Sequence, residues 1–329
     1  MAVLNSPRLT QGPEVEAFED DFAKAVGALH AVSFSSGTAA LHAALQAVGL
    51  TGGQELVTSG LTFVASANAG LYCGAKVRFA DIDETWNVSA DTVGECLGMR
   101  TGAVCVTHFA GHPAPVRQIR ERVGDIPIVE DACHALGSPG VGACQHSEIT
   151  CFSLHPAKAI TAGEGGMATT RSADLAMRMR RFRNHGFKIG EGWHREQVNL
   201  GYNYRLSDIH AALGRSQLRK LERHIALRTQ IAALYQLELR GVEYPPNCPD
   251  HSWHLYVIRH PERDRLYEAL REKGIETQVH YLPLYRNRVH MGAWLPGVEA
   301  YFQNCLSLPI FPGLSDTDQA KVIEAVNEF

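Results

Sequence analysis

The sequence predicts an α/β protein: a mostly parallel central sheet with helices on both faces, followed by a smaller α/β domain. Two observations carry this. Short apolar runs alternate with amphipathic segments through the first half of the chain, the β-α-β-α order of a parallel sheet. The chain has 329 residues, 45% of them hydrophobic, enough for a large core. That length suits about two domains.

The elements follow in order. Residues 14–26 place Val15, Phe18, Phe22 and Val26 on one helical face. Residues 31–34 form a short apolar strand, and 36–48 a helix opened by the cap signal Ser36-Gly-Thr. Strands are expected at 55–58 and 76–80 around a helix at 63–72, then a helix at 90–97. Strands at 102–106 and 126–129 flank a helix at 115–122. Residues 166–169 read as a strand and 172–183 as a basic helix. One long helix is expected from 207 to 237, bridging to the second domain. That domain holds a strand at 255–259, a helix at 263–273, a short strand at 279–281 and a closing helix at 317–326. The division is set at 1–225 and 226–329. Internal repeats and low-complexity linkers are absent.

Composition narrows the function. Lys and Arg number 31 against 35 Asp and Glu, a net charge of −4 that offers no footprint for nucleic acid or acidic membrane. The first residues lack a secretory apolar core, and no apolar run reaches the ~18–20 residues of a membrane span. A cytoplasmic protein without membrane or nucleic-acid partners is expected. The eight cysteines show no C-x-x-C and no regular spacing, so they read as small buried hydrophobes. The 16 histidines include no H-E-x-x-H, and no metal is expected.

Chemistry concentrates in three places. Lys158 sits in a glycine-rich context, Cys151-Phe-Ser-Leu-His-Pro-Ala-Lys158-Ala-Ile-Thr-Ala-Gly-Glu-Gly-Gly166. A partly desolvated lysine can attack an aldehyde and hold it as a Schiff base. Ser153 could reach a phosphate there, and His155 could contact substrate or shuttle a proton; His155 reads equally as a packing histidine. Upstream, Ile126-Pro-Ile-Val-Glu-Asp131 ends an apolar run in acids, at the sheet edge where α/β ligands bind. Asp131 there could keep a pyridine nitrogen protonated, or simply cap a helix. Ser36-Gly37-Thr38-Ala39 opens a helix straight after a strand, where free N–H groups converge on an anion; an ordinary cap explains it as well. The absence of G-x-x-x-x-G-K-[ST] and G-x-G-x-x-G argues against nucleoside triphosphates and a nicotinamide oxidoreductase.

Six segments occur together in order: Ser36-Gly-Thr-Ala-Ala-Leu41, Leu61-Thr-Phe-Val-Ala-Ser-Ala-Asn68, Val129-Glu-Asp-Ala-Cys-His134, Phe152-Ser-Leu-His-Pro-Ala-Lys158, Arg183-Asn-His-Gly186 and Leu200-Gly-Tyr-Asn-Tyr-Arg-Leu206. With them the chain, essentially along its whole length, resembles the DegT/DnrJ/EryC1/StrS nucleotide-sugar aminotransferases. The resemblance implies pyridoxal-phosphate (PLP) fold type I, the aspartate-aminotransferase-like architecture. It implies Lys158 as the Schiff-base lysine, Asp131 as the partner of the pyridine nitrogen and His134 near the ring 3-hydroxyl. Phe63 falls where an aromatic stacks on the cofactor ring. Thr38, Ala39 and Ser153 fall at phosphate-contact positions, and Asn203 where an asparagine reaches the neighbouring subunit's cofactor. A homodimer with shared active sites follows. Tyr204, Arg205 and His280 are the substrate-contact candidates, and His155 joins Lys158 and Asp131 as a catalytic candidate.

Within the family, His155-Pro-x-Lys-x-Ile-Thr-x-x-Glu-Gly-Gly166 and Gln278-Val-His-Tyr281 are most like enzymes that aminate UDP-4-keto-6-deoxy-N-acetylhexosamines, as in pseudaminic acid biosynthesis. L-Glutamate is then the amino donor and the sugar C4 ketone the acceptor. Family dehydratases replace the lysine by histidine, so Lys158 counts against that activity, and intact Lys158 and Asp131 count against a non-enzymatic scaffold. Two departures stand out. The family carries a further stretch before the Leu9–Pro13 element that helps line the substrate pocket, so impaired activity or a misassigned start is expected. The loop from Gly137 to Cys144 is also shorter than usual.

Overall fold

A computed structural model describes residues 3–188, 196–292 and 294–329. Its centre is a seven-stranded sheet. The strands are β1 (His30–Phe34), β2 (Glu55–Ser59), β3 (Lys76–Ala80), β4 (Thr101–Thr107), β5 (Ile128–Asp131), β6 (Ile149–Ser153) and β7 (Gly166–Thr170), in the spatial order β1-β7-β6-β5-β4-β2-β3. From β3 to β6 every pairing is parallel, and β7 runs antiparallel to both β6 and β1. This is the expected mostly parallel sheet, and the architecture is that of PLP fold type I.

Helices cover both faces because the pleat sends alternate side chains to opposite sides. Cys151 and Ala168 join one apolar cluster with α2 (Gly37–Ala47), α3 (Val64–Tyr72) and α6 (Ala173–Phe182). Their neighbours Phe152 and Met167 join another with Phe18 and Phe22 of α1 (Pro13–Val26) and Ala211 of α7 (Asp208–Leu218). Further along the sheet, Val93 of α4 (Ala90–Cys96) and Ile119 of α5 (Val116–Val123) close a third cluster.

The expected single helix over 207–237 is two helices. α7 ends at Leu218, Arg219 and Lys220 form a turn, and α8 (Leu221–Glu238) begins afresh. α7 lies against α1, with Gly214 facing the Phe18 ring so closely that a Cβ there would sit 2.6 Å from it. α8 leaves that face: Leu221 packs in the large-sheet cluster, while Ile231, Ala232 and Tyr235 pack with β8 (Tyr256–Arg259), α9 (Arg263–Glu272) and the C-terminal helix. The change of partner thus falls along α8, in the region of residues 225–231.

The smaller sheet pairs β8 antiparallel with β9 (Cys305–Leu308), which follows α10 (Pro296–Asn304) and precedes α11 (Asp316–Asn327). The strand expected at 279–281 does not form. Only Gln278 bridges to Ser307, and the chain then turns His280 and Tyr281 towards the large sheet. Among the described residues, no helix is long and apolar enough to cross a membrane, and no group of three or more His, Cys, Asp or Glu could hold a metal.

Candidate active site

A cavity of about 1080 Å³ opens at the carboxyl edge of the parallel strands. Thr107, Asp131 and Ser153, the last residues of β4, β5 and β6, all line it. This edge is where ligands bind in α/β sheets. The opposite wall comes from the smaller sheet and its approach, including His254, His280, Tyr281 and Ser307.

The two acids ending β5 have different fates. Glu130 is buried on one side, accepting from Thr150 Oγ1 at 2.9 Å and from Ser147, and paired with His108 Nε2 at 2.7 Å. Burial alone would raise its pKa, but the His108 contact and the two hydroxyls hold it below the ordinary value. Asp131, one residue on, faces the cavity. Ser66 Oγ donates to its Oδ2 at 2.6 Å and the Cys133 N–H to its Oδ1 at 3.1 Å. Two donors hold a carboxylate aimed at bound ligand.

Lys158 stands in a tight turn in which its N–H donates to the His155 carbonyl at 2.9 Å. Burial lowers its pKa, partly opposed by the nearby Cys133 and Asp131. Among the described residues no carboxylate forms an ion pair with it, and its side-chain hydrogen-bond partner is His254 Nε2 at 3.4 Å. A lysine so placed gives up its proton more easily than a solvated one, the direction a nucleophilic amine needs. His254 itself is buried, with its Nδ1 unpartnered, and its ring lies 4.4 Å from that of His134.

The third corner is the start of α2. Ser36 caps the helix by accepting the Ala39 N–H at 3.1 Å, and Ser36, Gly37 and Thr38 line the cavity. Glycines allow this approach. A Cβ on Gly166 would lie 2.2 Å from the Ser36 carbonyl oxygen, and one on Gly37 would lie 3.0 Å from Ser153 Cβ. The helix end therefore nests beside the ends of β6 and β7, its N–H groups turned to the cavity.

An acid, a deprotonatable lysine and a helix N-terminus thus share one wall-to-wall space, the donor set that a protonated pyridine, an aldehyde and a phosphate require together. The DegT/DnrJ/EryC1/StrS aminotransferase family model matches residues 1–327. The chain belongs to this family. It is accordingly a PLP-dependent aminotransferase, and the residues on the cavity wall fit that cofactor. The DegT/DnrJ/EryC1/StrS assignment is reinforced by individual relatives. The uncharacterized protein MJ1066 of Methanocaldococcus jannaschii is 33% identical, with 99% of this chain and 92% of that protein aligned. Helicobacter pylori PseC, an aminotransferase involved in the biosynthesis of pseudoaminic acid, is 28% identical with a TM-score of 0.94, covering 99% of this chain and 94% of its own. A Streptococcus pneumoniae aminotransferase solved in apo, PLP and PMP forms is 25% identical; its PMP form has a TM-score of 0.94, covering 99% of this chain and 92% of its own.

Of the site residues expected from sequence, Thr38, Phe63, Asp131, His134, Ser153, His155, Lys158 and His280 all line this cavity. Phe63 is 54% exposed although aromatic, as a ring waiting beside a ligand space would be. His155 is exposed, with Nδ1 accepting the Ala157 N–H at 3.2 Å. Ala39 is buried behind the wall, its N–H bonded to Ser36. Asn203, Tyr204 and Arg205 lie away from the cavity of their own chain. Asn203 bridges to Asn184, Tyr204 Oη meets His42 Nδ1 at 3.2 Å, and Arg205 donates to Asn184 Oδ1 at 2.8 Å. Sequence reasoning passed over Ser66 and His254. Ser66 had a signal, standing three residues after Phe63 and hence one helical turn along the same motif. His254 had none, since folding alone brings it across 96 residues to Lys158.

Proposed function

We propose that this chain, a sugar aminotransferase, moves an amino group from L-glutamate to the C4 ketone of a UDP-linked 4-keto-6-deoxy-N-acetylhexosamine, the chemistry of a pseudaminic acid type pathway. The observation that carries the aminotransferase half of the reading is Lys158: half-buried, its pKa lowered by burial, and facing the same cavity as Asp131. The sugar rests on the resemblance of the Lys158 and His280 segments to that subgroup, and on the likeness to PseC.

In this reading PLP supplies an electrophilic carbon and a ring that accepts electrons when bound. Lys158 Nζ would hold it and, when free, would take up and return a proton at the donor α-carbon. Asp131, fixed by Ser66 and the Cys133 N–H, keeps the ring nitrogen protonated. Phe63 covers one face. Thr38 and Ser153 serve the phosphate through the α2 N-terminus and their hydroxyls, with Ala39 behind them in the same helical turn. His134 stands near the ring hydroxyl, His155 assists proton movement, and His280 lines the sugar side. Asn203, Tyr204 and Arg205 serve the cavity of a second copy in a homodimer, which explains why they are absent from their own. The protein works in the cytoplasm, with the large domain at 1–225 and the small one at 226–329.

The test is the absorption spectrum of purified protein before and after L-glutamate, then with UDP-4-keto-6-deoxy-N-acetylhexosamine. A visible band abolished by glutamate and restored by the sugar nucleotide is the expected result. Lys158→Ala should lack the band while folding normally. Restoration only by a keto sugar on another nucleotide would refute the substrate, and a band indifferent to glutamate would refute the donor.

A further inference from the structure

Hydrogen-bond direction near Lys158 is determined at one point. The Ala110 backbone N–H can only donate, and it meets His134 Nδ1 at 3.3 Å. That ring nitrogen is therefore an acceptor. His134 is buried, and burial, then Lys158 and His280, hold its pKa well below the ordinary value, so the ring is neutral. A neutral imidazole has one N–H, which must sit on Nε2. Nε2 lies 3.0 Å from Tyr281 Oη, so the phenol oxygen accepts.

The hydroxyl hydrogen of Tyr281 is then uncommitted, and no other residue among those described takes it. Tyr281 lines the cavity beside Lys158, its ring held 6.0 Å from Phe63 and 6.3 Å from Phe109. Asp131 and Cys133 from the end of β5, His280 alongside and Tyr301 from α10 are the other polar groups around it. Tyr301 is turned away, donating to the His280 carbonyl at 2.8 Å. Burial and Asp131 raise the Tyr281 pKa, which keeps the phenol protonated.

We propose that Tyr281 is a hydroxyl donor to an electron-rich oxygen of the molecule bound at the Lys158 end of the cavity, with its direction set by the chain from Ala110 through His134. Such an oxygen comes either from the PLP ring or from the carbonyl or carboxylate of a substrate. The inference rests on cofactor binding, not on the identity of the sugar.

Nitrogen-15 NMR of His134 in cofactor-free protein tests the chain without any turnover. A single Nε2-protonated tautomer is expected, and an Nδ1-protonated ring would overturn the proposal. Tyr281→Phe, which removes only the hydroxyl, separates the two sources. If the PLP oxygen is the acceptor, the pH midpoint of the bound-cofactor absorption band rises by about one unit, because a donor that spread the oxygen's negative charge is gone. If a substrate oxygen is the acceptor, that midpoint stays and KM for glutamate or sugar rises about tenfold with little change in kcat. A variant matching the wild type in both midpoint and KM refutes the role. Loss of turnover with every keto sugar by the wild type would instead refute the substrate assignment, leaving the NMR and spectral results interpretable.

Discussion

Removing the Ser66 hydroxyl should cost this fold about 2 kcal/mol, the scale of a hydrogen bond to a charged group. Three buried hydroxyls run in series into Asp131. Thr107 Oγ1 lies 3.0 Å from Thr62 Oγ1, which lies 2.9 Å from Ser66 Oγ, which lies 2.6 Å from Asp131 Oδ2. An ionised carboxylate only accepts, so Ser66 donates to it, Thr62 to Ser66 and Thr107 to Thr62. Ser66→Ala deletes the bond to the charge, expected at about 1.5–3 kcal/mol, and strands the Thr62 proton as well. Ser66 has 0% of its surface exposed, so water cannot replace the lost donor without rearrangement. Urea unfolding of cofactor-free protein measures the loss. Asp131→Asn supplies the cycle: bonded to a neutral amide oxygen, the same hydroxyl should count for about 1 kcal/mol less. Because Asp131 then has only the Cys133 N–H to aim it, PLP affinity in Ser66→Ala should also fall, by about tenfold for a loss of about 1.4 kcal/mol. A Ser66→Ala protein within about 0.5 kcal/mol of wild type, or costs that simply add in the double variant, would refute the series and its role in orienting Asp131.

Other consequences are as direct. Gly214→Ala, normally stabilising in a helix by up to about 1 kcal/mol, should here destabilise by about 1–3 kcal/mol, since its Cβ would meet the Phe18 ring at 2.6 Å; a raised Tm would contradict the α1–α7 packing. Burial lowers the pKa of His42 and of His280 to about 4, and that of His251 to about 3. The unfolded chain therefore binds protons below about pH 6.5 that the fold refuses, and stability should drop from there towards pH 4, by up to about 1.4 kcal/mol per pH unit for each histidine. Urea midpoints that stay level across that window would show these rings to be hydrated. Glu19 is buried between Arg183 at 2.5 Å and Arg180 at 3.3 Å; burial alone would raise its pKa, but those cations and the Ser33 N–H lower it. Its contribution is complete above the ordinary carboxylate range and is lost as pH falls through the lower folded value. Glu19→Ala should cost about 3–5 kcal/mol at neutral pH and shrink that acid loss; a cost below about 1 kcal/mol would mean the arginines find other partners.

The parallel half of the fold was legible because its strands are short apolar or alternating runs with helices of clear period between. β6 was not read as a strand, although it holds the residues leading to Lys158. Ile149-Thr-Cys-Phe-Ser153 shows neither alternation nor an unbroken apolar run, and only its place between β5 and β7 makes it one. The break at Arg219–Lys220 carries no glycine or proline, so a continuous helix was the local preference, yet the chain turns there, and only further along α8 does packing pass from the large-sheet cluster to the small-sheet one. The strand expected at 279–281 failed for the opposite reason: β-prone residues there are used to turn His280 and Tyr281 into the cavity. For the site, Lys158 and Asp131 stood out through motif context, whereas His254 and the hydroxyl series depend on contacts between distant segments. Spacing cannot reveal contacts of that kind.

The pleat of β5 explains why the lysine stays reactive. Glu130 and Asp131 look interchangeable in sequence, yet alternation buries the first with His108 and presents the second to the cavity. Had both faced the cavity, two carboxylates beside Lys158 would have favoured its ammonium form and raised its pKa. Instead one acid is sequestered and the other is held by Ser66 and the Cys133 N–H, out of ion-pairing distance of Lys158. Around the amine stand His134, His254 and His280, each kept neutral by burial. His254 Nε2 gives the amine a hydrogen bond at 3.4 Å, and none of the three rings brings a countercharge, so Asp131 and Cys133 only partly offset the burial that lowers the lysine's pKa.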